Sequence, residues 1–187
     1  MATPSFITDI RAHIGHAPLW LPGVSAVVQN AAGEILLGRR ADTGRWSLIS
    51  GIPEPGEEPA AAIVREVFEE TGVRVEPERI TSVTVGPVVT YPNGDVCQYL
   101  NVTFACRPTT ATAAATVNDD ESLDVGWFPV DDHPPLDEVA TLRLERALAG
   151  HTAAWFATDQ RRSATDQRRS ATDQRRSATD QRRSATD

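Results

Sequence analysis

Glu66, Glu69 and Glu70 crowd the end of a short helical stretch, with Arg65 beside them and Glu57 a few residues upstream. On a helix Glu66 neighbours both Glu69 and Glu70, and like charges at those spacings oppose the helix by roughly a few tenths of a kcal/mol per pair. Glu69 and Glu70 also fall in the last turn, where the helix dipole disfavours anions. Most charge runs are solvated faces, but a segment that breaks two local rules in one place is usually serving a site. Clustered carboxylate oxygens on a rigid element suit a hard divalent cation, Mg2+ or Mn2+. Such an ion could neutralise the oxygens of a phosphate-bearing substrate, bind a leaving phosphate and lower the pKa of an attacking water.

A helix over residues 59–71, closed by Gly72, must hold these groups. Projected at 100° per residue, Ala60, Ile63, Val64, Val67, Phe68 and Thr71 share one side, which has to pack on a sheet. Arg65, Glu66, Glu69 and Glu70 share the other. Residues 51–57, rich in Gly, Pro and Glu, read as the loop leading in. Before it lie a β-rich run at 24–29, a turn at 30–33, a return strand at 34–40 completing an expected hairpin, and a third strand at 46–50. After it come a strand over 73–85 interrupted at Pro77-Glu78, and a second hairpin from 88–91 and 96–107 around Pro92-Asn93-Gly94. A polar Ala/Thr-rich loop over 107–120, a strand at 124–130 and a helix at 136–149 ended by Gly150 complete the domain. At the start, Thr3-Pro4 reads as a helix cap, with Phe6, Ile7, Ile10 and Ile14 at helical spacing.

The segment from Gly51 to Val73 resembles the signature box of the Nudix hydrolases. Gly51, Glu57, Arg65, Glu66, Glu69, Glu70 and Gly72 hold the box's identities, and Val67 and Val73 its aliphatic positions, with none missing. The resemblance implies an α/β fold, an α/β/α sandwich on a mixed sheet, and hydrolysis of a nucleoside diphosphate linked to a further group. It implies Glu66, Glu69 and Glu70 as metal ligands, assisted by Glu57 and the Gly51 carbonyl, with Arg65 orienting the glutamates by salt bridge. Two features depart from the family pattern: Ile49-Ser50 stand where Pro-Gly usually precedes the box, and Pro53 and Pro55 stiffen the loop. Neither removes a ligand.

Outside the box, Glu121 lies just before the last strand, where many family members keep an acid that binds metal or activates water. Asp119 and Asp120 are rivals, and a solvated acidic turn is an equal reading. Arg39 and Arg40 end a strand and could clamp phosphate oxygens, although a surface role for at least one is the plainer expectation. Trp46 and Tyr91 could stack on a base, but aromatics beside strands are more often core. Trp127 and Phe128, as strand neighbours, point to opposite faces, so at least one packs. His13, His16, His133 and His151 show no metal spacing. Cys97 and Cys106, an odd separation apart on one strand, face opposite ways and are not a disulfide pair.

Net charge is −8, every base is arginine, and lysine is absent. Residues 157–187 hold eight arginines and five aspartates, a local +3, which leaves residues 1–156 with ten arginines against 21 acids, or −11. That acidic body argues against nucleic acid as a partner and for a small anionic nucleotide reached through cations. No apolar run spans a bilayer and no leader is visible, so a cytoplasmic enzyme without a membrane partner is expected; a homodimer is left open. From Ala157, Ala-Thr-Asp-Gln-Arg-Arg-Ser repeats four times and stops after Ala185-Thr186-Asp187. Each repeat offers only Ala as an apolar residue, so no coiled-coil seam exists and a solvated tail is expected. The division is thus a domain over 1–150, with 1–20 as N-terminal helix and lead-in, and a tail over 151–187.

Substrates of two kinds fit a box that handles only the shared diphosphate: ADP-ribose or related sugar nucleotides, and nucleoside triphosphates, oxidised ones included. A catalytically silent ligand sensor or regulator on the same fold is the alternative, but it would carry a degraded box and an added DNA-binding domain. An isomerase acting on isoprenoid diphosphates would need a cysteine near the box, and none adjoins it in sequence.

Overall fold

The computed structural model of the chain describes residues 4–110 and 113–158. Three helices, α1 (Ser5–Ile14), α2 (Pro59–Thr71) and α3 (Glu138–Leu148), accompany nine strands among these residues. The strands are β1 (Leu19–Val28), β2 (Ile35–Arg40), β3 (Trp46–Ser47), β4 (Ile49–Gly51), β5 (Val75–Val85), β6 (Val89–Thr90), β7 (Val96–Pro108), β8 (Ser122–Phe128) and β9 (Trp155–Phe156). A mixed sheet runs β4-β1-β7-β5-β9 with β6 pairing β7, and a second sheet runs β3-β2-β8. Strand β7, paired in parallel with β1 along the whole of β1 and antiparallel with β5, is the centre of the larger sheet.

Helices cover both faces of that sheet. Val24, Ala26 and Val28 join Ala62, Ile63 and Val67 of α2 and Phe104 of β7 in one apolar cluster. Val27, from the opposite face of β1, joins Ile35, Leu37 and Leu48 with Ala140, Leu144 and Ala147 of α3. The period-two alternation along β1 therefore divides the core into an α2 side and an α3 side. The result is the expected Nudix-like α/β architecture on a mixed sheet.

Several expectations need correction. Strands 24–29 and 34–40 do not form a hairpin; beyond the single bridge between Gln29 and Ile35 they part company. Both edges of β1 are already taken, by β4 and β7, so β2 has no free edge to pair with and enters the second sheet instead. The expected strand at 46–50 is two strands: Trp46–Ser47 pairs with β2 and Ile49–Gly51 with β1. The chain crosses between sheets at buried Leu48 and so delivers Gly51 beside Val24. The Pro77-Glu78 interruption is a register shift within a continuous strand. A short strand, β9, pairs with β5 inside the stretch read as tail, and the compact unit accordingly extends to Phe156.

The caps follow local rules. Pro59 opens α2 at its first turn, and Gly72 closes it in the left-handed conformation at φ 69°. Asp137 caps α3 by accepting from the Ala140 amide at 2.7 Å. The expected Thr3 cap of α1 and the heptapeptide repeats past residue 158 lie outside the described residues. No helix among the described residues is long and apolar enough to cross a membrane.

Candidate active site

Helix α2 is turned further than hydrophobic patterning indicates. Its buried residues are Ala62, Ile63, Glu66, Val67 and Thr71, whereas Ala60 is exposed. Glu66, assigned from sequence to the solvent side with Glu69, instead retains only 7% exposure. Glu70, one turn later on the same stripe, is half-buried, and Glu69 alone of the three stays exposed. Gly51 makes room for buried Glu66, and Gly38 lies beside half-buried Glu70. A Cβ at Gly51 would collide with the carboxyl group of Glu66, so only glycine is compatible with that side chain lying flat on β4. At Gly38 a Cβ would come within 3.7 Å of Glu70 Oε2 and 3.0 Å of Ile49 Cδ1. Gly51 belongs to the signature box; Gly38 was not singled out from sequence, because a glycine in a strand gives no sign of which side chain passes over it.

Arg65 ties the upstream acid to the helix. Its Nε and Nη2 donate to the two Glu57 oxygens at 2.9 Å each, and its Nη1 donates to Glu66 Oε1 at 3.0 Å and Glu69 Oε2 at 2.9 Å. Its guanidinium holds the Glu57 carboxyl below its ordinary range, assisted by the Glu54 amide. Glu66 is nonetheless pushed up to about 7, because burial outweighs the attraction of Arg65. Glu70 is pushed higher, to about 8, by burial and then by repulsion from Glu66, Asp119 and Glu121, with Arg40 opposing. Among the described residues none gives Glu70 a hydrogen bond to compare with the Arg65 contact to Glu66, which explains the order of the two.

The loop before β8 supplies the remaining acids. Amides of Thr116 and Asn118 donate to the Thr71 and Glu70 carbonyls at 3.0 and 3.3 Å, and Asn118 Nδ2 donates to Phe68 O at 3.1 Å. The two amide bonds satisfy carbonyls that the end of a helix leaves without partners, and the side-chain bond adds to the Gly72 amide already on Phe68 O. Asp119 then turns inward, its carboxyl raised chiefly by burial, and accepts from the Glu121 amide at 3.0 Å. The Glu121 carbonyl in turn accepts from the Ala41 amide, just after β2, at 2.8 Å. Of the three rival acids the structure brings Asp119 and Glu121 toward Glu66 and Glu70, and it leaves Asp120 exposed.

Arg39 and Arg40 alternate on β2 and part accordingly. Arg40 shares the face of Gly38, pairs with Asp42 at 2.6 Å and acts electrostatically on Glu70. Arg39 is exposed, donates to the Gly44 carbonyl and lies opposite Trp46 on β3, away from the carboxylates. Trp46 packs edge-on against Phe128, ring centroids 4.9 Å apart, in the α3-side core. Tyr91 bonds Tyr99 through their hydroxyls at 2.8 Å and belongs to a cluster with Ile52, while acting on Arg40. Trp127 and Phe128 do point to opposite faces, and both pack. His16 pairs with Asp95, and His13 and His133 contact backbone carbonyls. Cys97 and Cys106 are free and buried, and burial pushes the Cys106 thiol up to about 12, so no thiolate is presented there.

Glu66, Glu70, Asp119 and Glu121 act on one another as like charges, a repulsion that a divalent cation would relieve. Gly51 is a cradle that any side chain would fill. The residues present fit such an ion in kind, although no three acids among the described residues are drawn to one coordination point.

Comparison with known proteins bears on the same stretch. The NUDIX domain family model matches residues 19–148. A MutT-like protein of Streptomyces ambofaciens is 35% identical over 134 residues, covering 71% of this chain and 80% of that protein. The 8-oxo-dGDP phosphatase NUDT18 of Mus musculus is 34% identical over 130 residues, 67% of this chain but only 36% of that protein, so the chain spans about a third of its length. Among solved structures, an ADP-ribose pyrophosphatase from Streptococcus suis superposes with a TM-score of 0.53 at 26% identity, covering 71% of this chain and 95% of that one.

Proposed function

The chain belongs to the Nudix family and is a pyrophosphohydrolase of that family's type, and from that premise we propose that it hydrolyses the diphosphate linkage of a nucleoside diphosphate derivative by water attack, using Mg2+ or Mn2+ held by the carboxylates around α2. The observation that carries this reading is buried Glu66, lying flat against Gly51, beside half-buried Glu70, with both carboxyls raised above the ordinary glutamate value by burial and by neighbouring acids. A buried acid beside a half-buried one destabilises a fold unless cations offset them, and Nudix hydrolases generally require a divalent metal ion.

In this reading Glu66 and Glu70, with Glu69 at the helix edge, bind the metal. Arg65 holds Glu57, Glu66 and Glu69 in register, and the Gly51 backbone supports the Glu66 carboxyl. The metal, when bound, neutralises the diphosphate oxygens and lowers the pKa of the attacking water. Glu121, brought in opposite α2 by the loop before β8, serves as a further ligand or receives a proton from that water. Arg40, which acts electrostatically on Glu70, contacts the phosphate oxygens of the substrate. Arg39 and Trp46, turned to the other side of β2 and β3, take no part in the chemistry.

Two substrate groups agree with the relatives. The Streptococcus suis structure is of an ADP-ribose pyrophosphatase and the mouse relative is an 8-oxo-dGDP phosphatase, so sugar nucleotides and oxidised purine nucleotides are the first to assay. An acidic body disfavours polyanionic nucleic acids, and a small nucleotide in the cytoplasm is the substrate proposed. The test is a panel of such nucleotides with Mg2+ and with Mn2+, measuring released phosphate, pyrophosphate and nucleoside monophosphate. Metal-dependent turnover of one group, lost in Glu70→Gln, supports the reading. Turnover unaffected by chelator, or equal in Glu70→Gln, overturns it.

A further inference from the structure

We propose that Asn118 is a positioning residue for the metal site: by hooking the loop before β8 onto the last turn of α2, it sets Asp119 and Glu121 across from Glu66 and Glu70. The proposal rests on the metal-binding function proposed for α2 and concerns a residue outside the signature box. Two of the three bonds that join the loop to the end of α2, from the Thr116 and Asn118 amides, are made by the main chain and would be available to almost any sequence. The third, Asn118 Nδ2 to Phe68 O at 3.1 Å, depends on this side chain. It is also the better placed of the two Asn118 bonds, since the amide bond to Glu70 O is stretched to 3.3 Å. Phe68 O already accepts from Gly72 at 2.8 Å, so the asparagine completes the capacity of that carbonyl.

The residues just after Asn118 give the bond its consequence. Asp119 is next in the chain, and its Oδ1 accepts from the Glu121 amide at 3.0 Å, while the Glu121 carbonyl is held by Ala41 at 2.8 Å. Residues 118–121 are therefore strung between the end of α2 and the end of β2, the two elements that carry Glu70 and Arg40. Asn118 itself is exposed. A hydrogen bond in that setting makes only a modest contribution to folding, so its loss should displace the acids without unfolding the domain.

The experiment uses the full chain with Asn118→Ala and with Asn118→Leu, which lack the donor at smaller and similar side-chain volume. Binding of Mn2+ alone, without nucleotide, is followed by electron paramagnetic resonance. The expected result is Mn2+ affinity weaker by about 10- to 100-fold in both variants, as for losses of groups that orient metal ligands. Melting temperature in chelator should fall by about 3 °C or less, and kcat should drop with KM for the nucleotide unchanged. Wild-type Mn2+ affinity in both variants overturns the proposal, as does loss of folded protein in both, which would make Asn118 a helix cap and nothing more. Absence of Mn2+ binding by the wild-type chain would instead overturn the metal reading itself and this inference with it.

Discussion

Glu66 and Glu70 illustrate how one residue type acquires two properties from its surroundings. Both are raised above the ordinary glutamate value, Glu66 to about 7 while bonded to Arg65 and Glu70 to about 8 without such a partner among the described residues. Because the folded-state values lie above the unfolded ones, the protonated carboxyls favour the fold below the unfolded value near 4.5, and that contribution is lost as pH rises through the folded values. The metal-free protein should therefore show a falling melting temperature from about pH 5 to about pH 8.5; a flat profile in chelator would contradict the burial described here. Glu70→Gln should lower kcat by at least about 100-fold. In chelator it should also raise the melting temperature, since it removes a desolvated charge at the cost of function. Gly51→Ala should displace the Glu66 carboxyl and weaken metal binding strongly, whereas Gly38→Ala, which meets only the flexible end of Ile49 at 3.0 Å, should be milder. Parallel metal titrations of the two variants check the order.

At the scale of elements, the site depends on where the chain changes sheets. The crossing at Leu48 places Gly51 on β4, paired with Val24 of β1 and under α2, and the hooked loop before β8 brings the second pair of acids to the helix end. The C-terminal strand β9 shows the same dependence of a weak element on its neighbours. Two residues of strand have little stability alone, but Trp155 pairs with Ser82 and lies under the Arg146 guanidinium at 4.6 Å. Trp155→Ala should cost roughly 1–3 kcal/mol through lost burial and the cation–π contact. Denaturant titration measures this, and kcat should be unchanged because the residue lies far along the sheet order from β4.

For the whole molecule, compactness and charge make a joint prediction. The first unit ends at Phe156 and the family match at residue 148. Removing 157–187 should leave kcat/KM within about twofold, and a larger loss would assign the arginine-rich repeats a role in catalysis. Millimolar Mg2+ should raise the melting temperature of the full chain and of the shortened one alike, because the cation binds an acidic body that both possess. An increase confined to the full chain would point to the repeats instead.

Much was legible in the order of residues, and the reasons are local. Gly51, Glu57, Arg65, Glu66, Glu69, Glu70 and Gly72 lie within one loop and one helix, so their spacing alone sets which of them can meet, and the Arg65 contacts to Glu57 and Glu69 are a result of it. The α/β fold on a mixed sheet was implied by the resemblance of that same segment, and the opposed directions of Trp127 and Phe128 needed only the period of two. Three-dimensional packing decided the rest. Which edge of β1 was free, and hence whether β2 could pair with it, depended on β7, distant in the chain. The turn of α2 that buries Glu66 depended on Gly51 of β4, because a carboxylate can take a core position only where a neighbouring strand leaves it space. Choosing Asp119 and Glu121 over Asp120 likewise waited on a loop bonding to the end of a helix distant in sequence. Chain order carries short-range spacing; shared space and the field between buried charges exist only once distant segments meet.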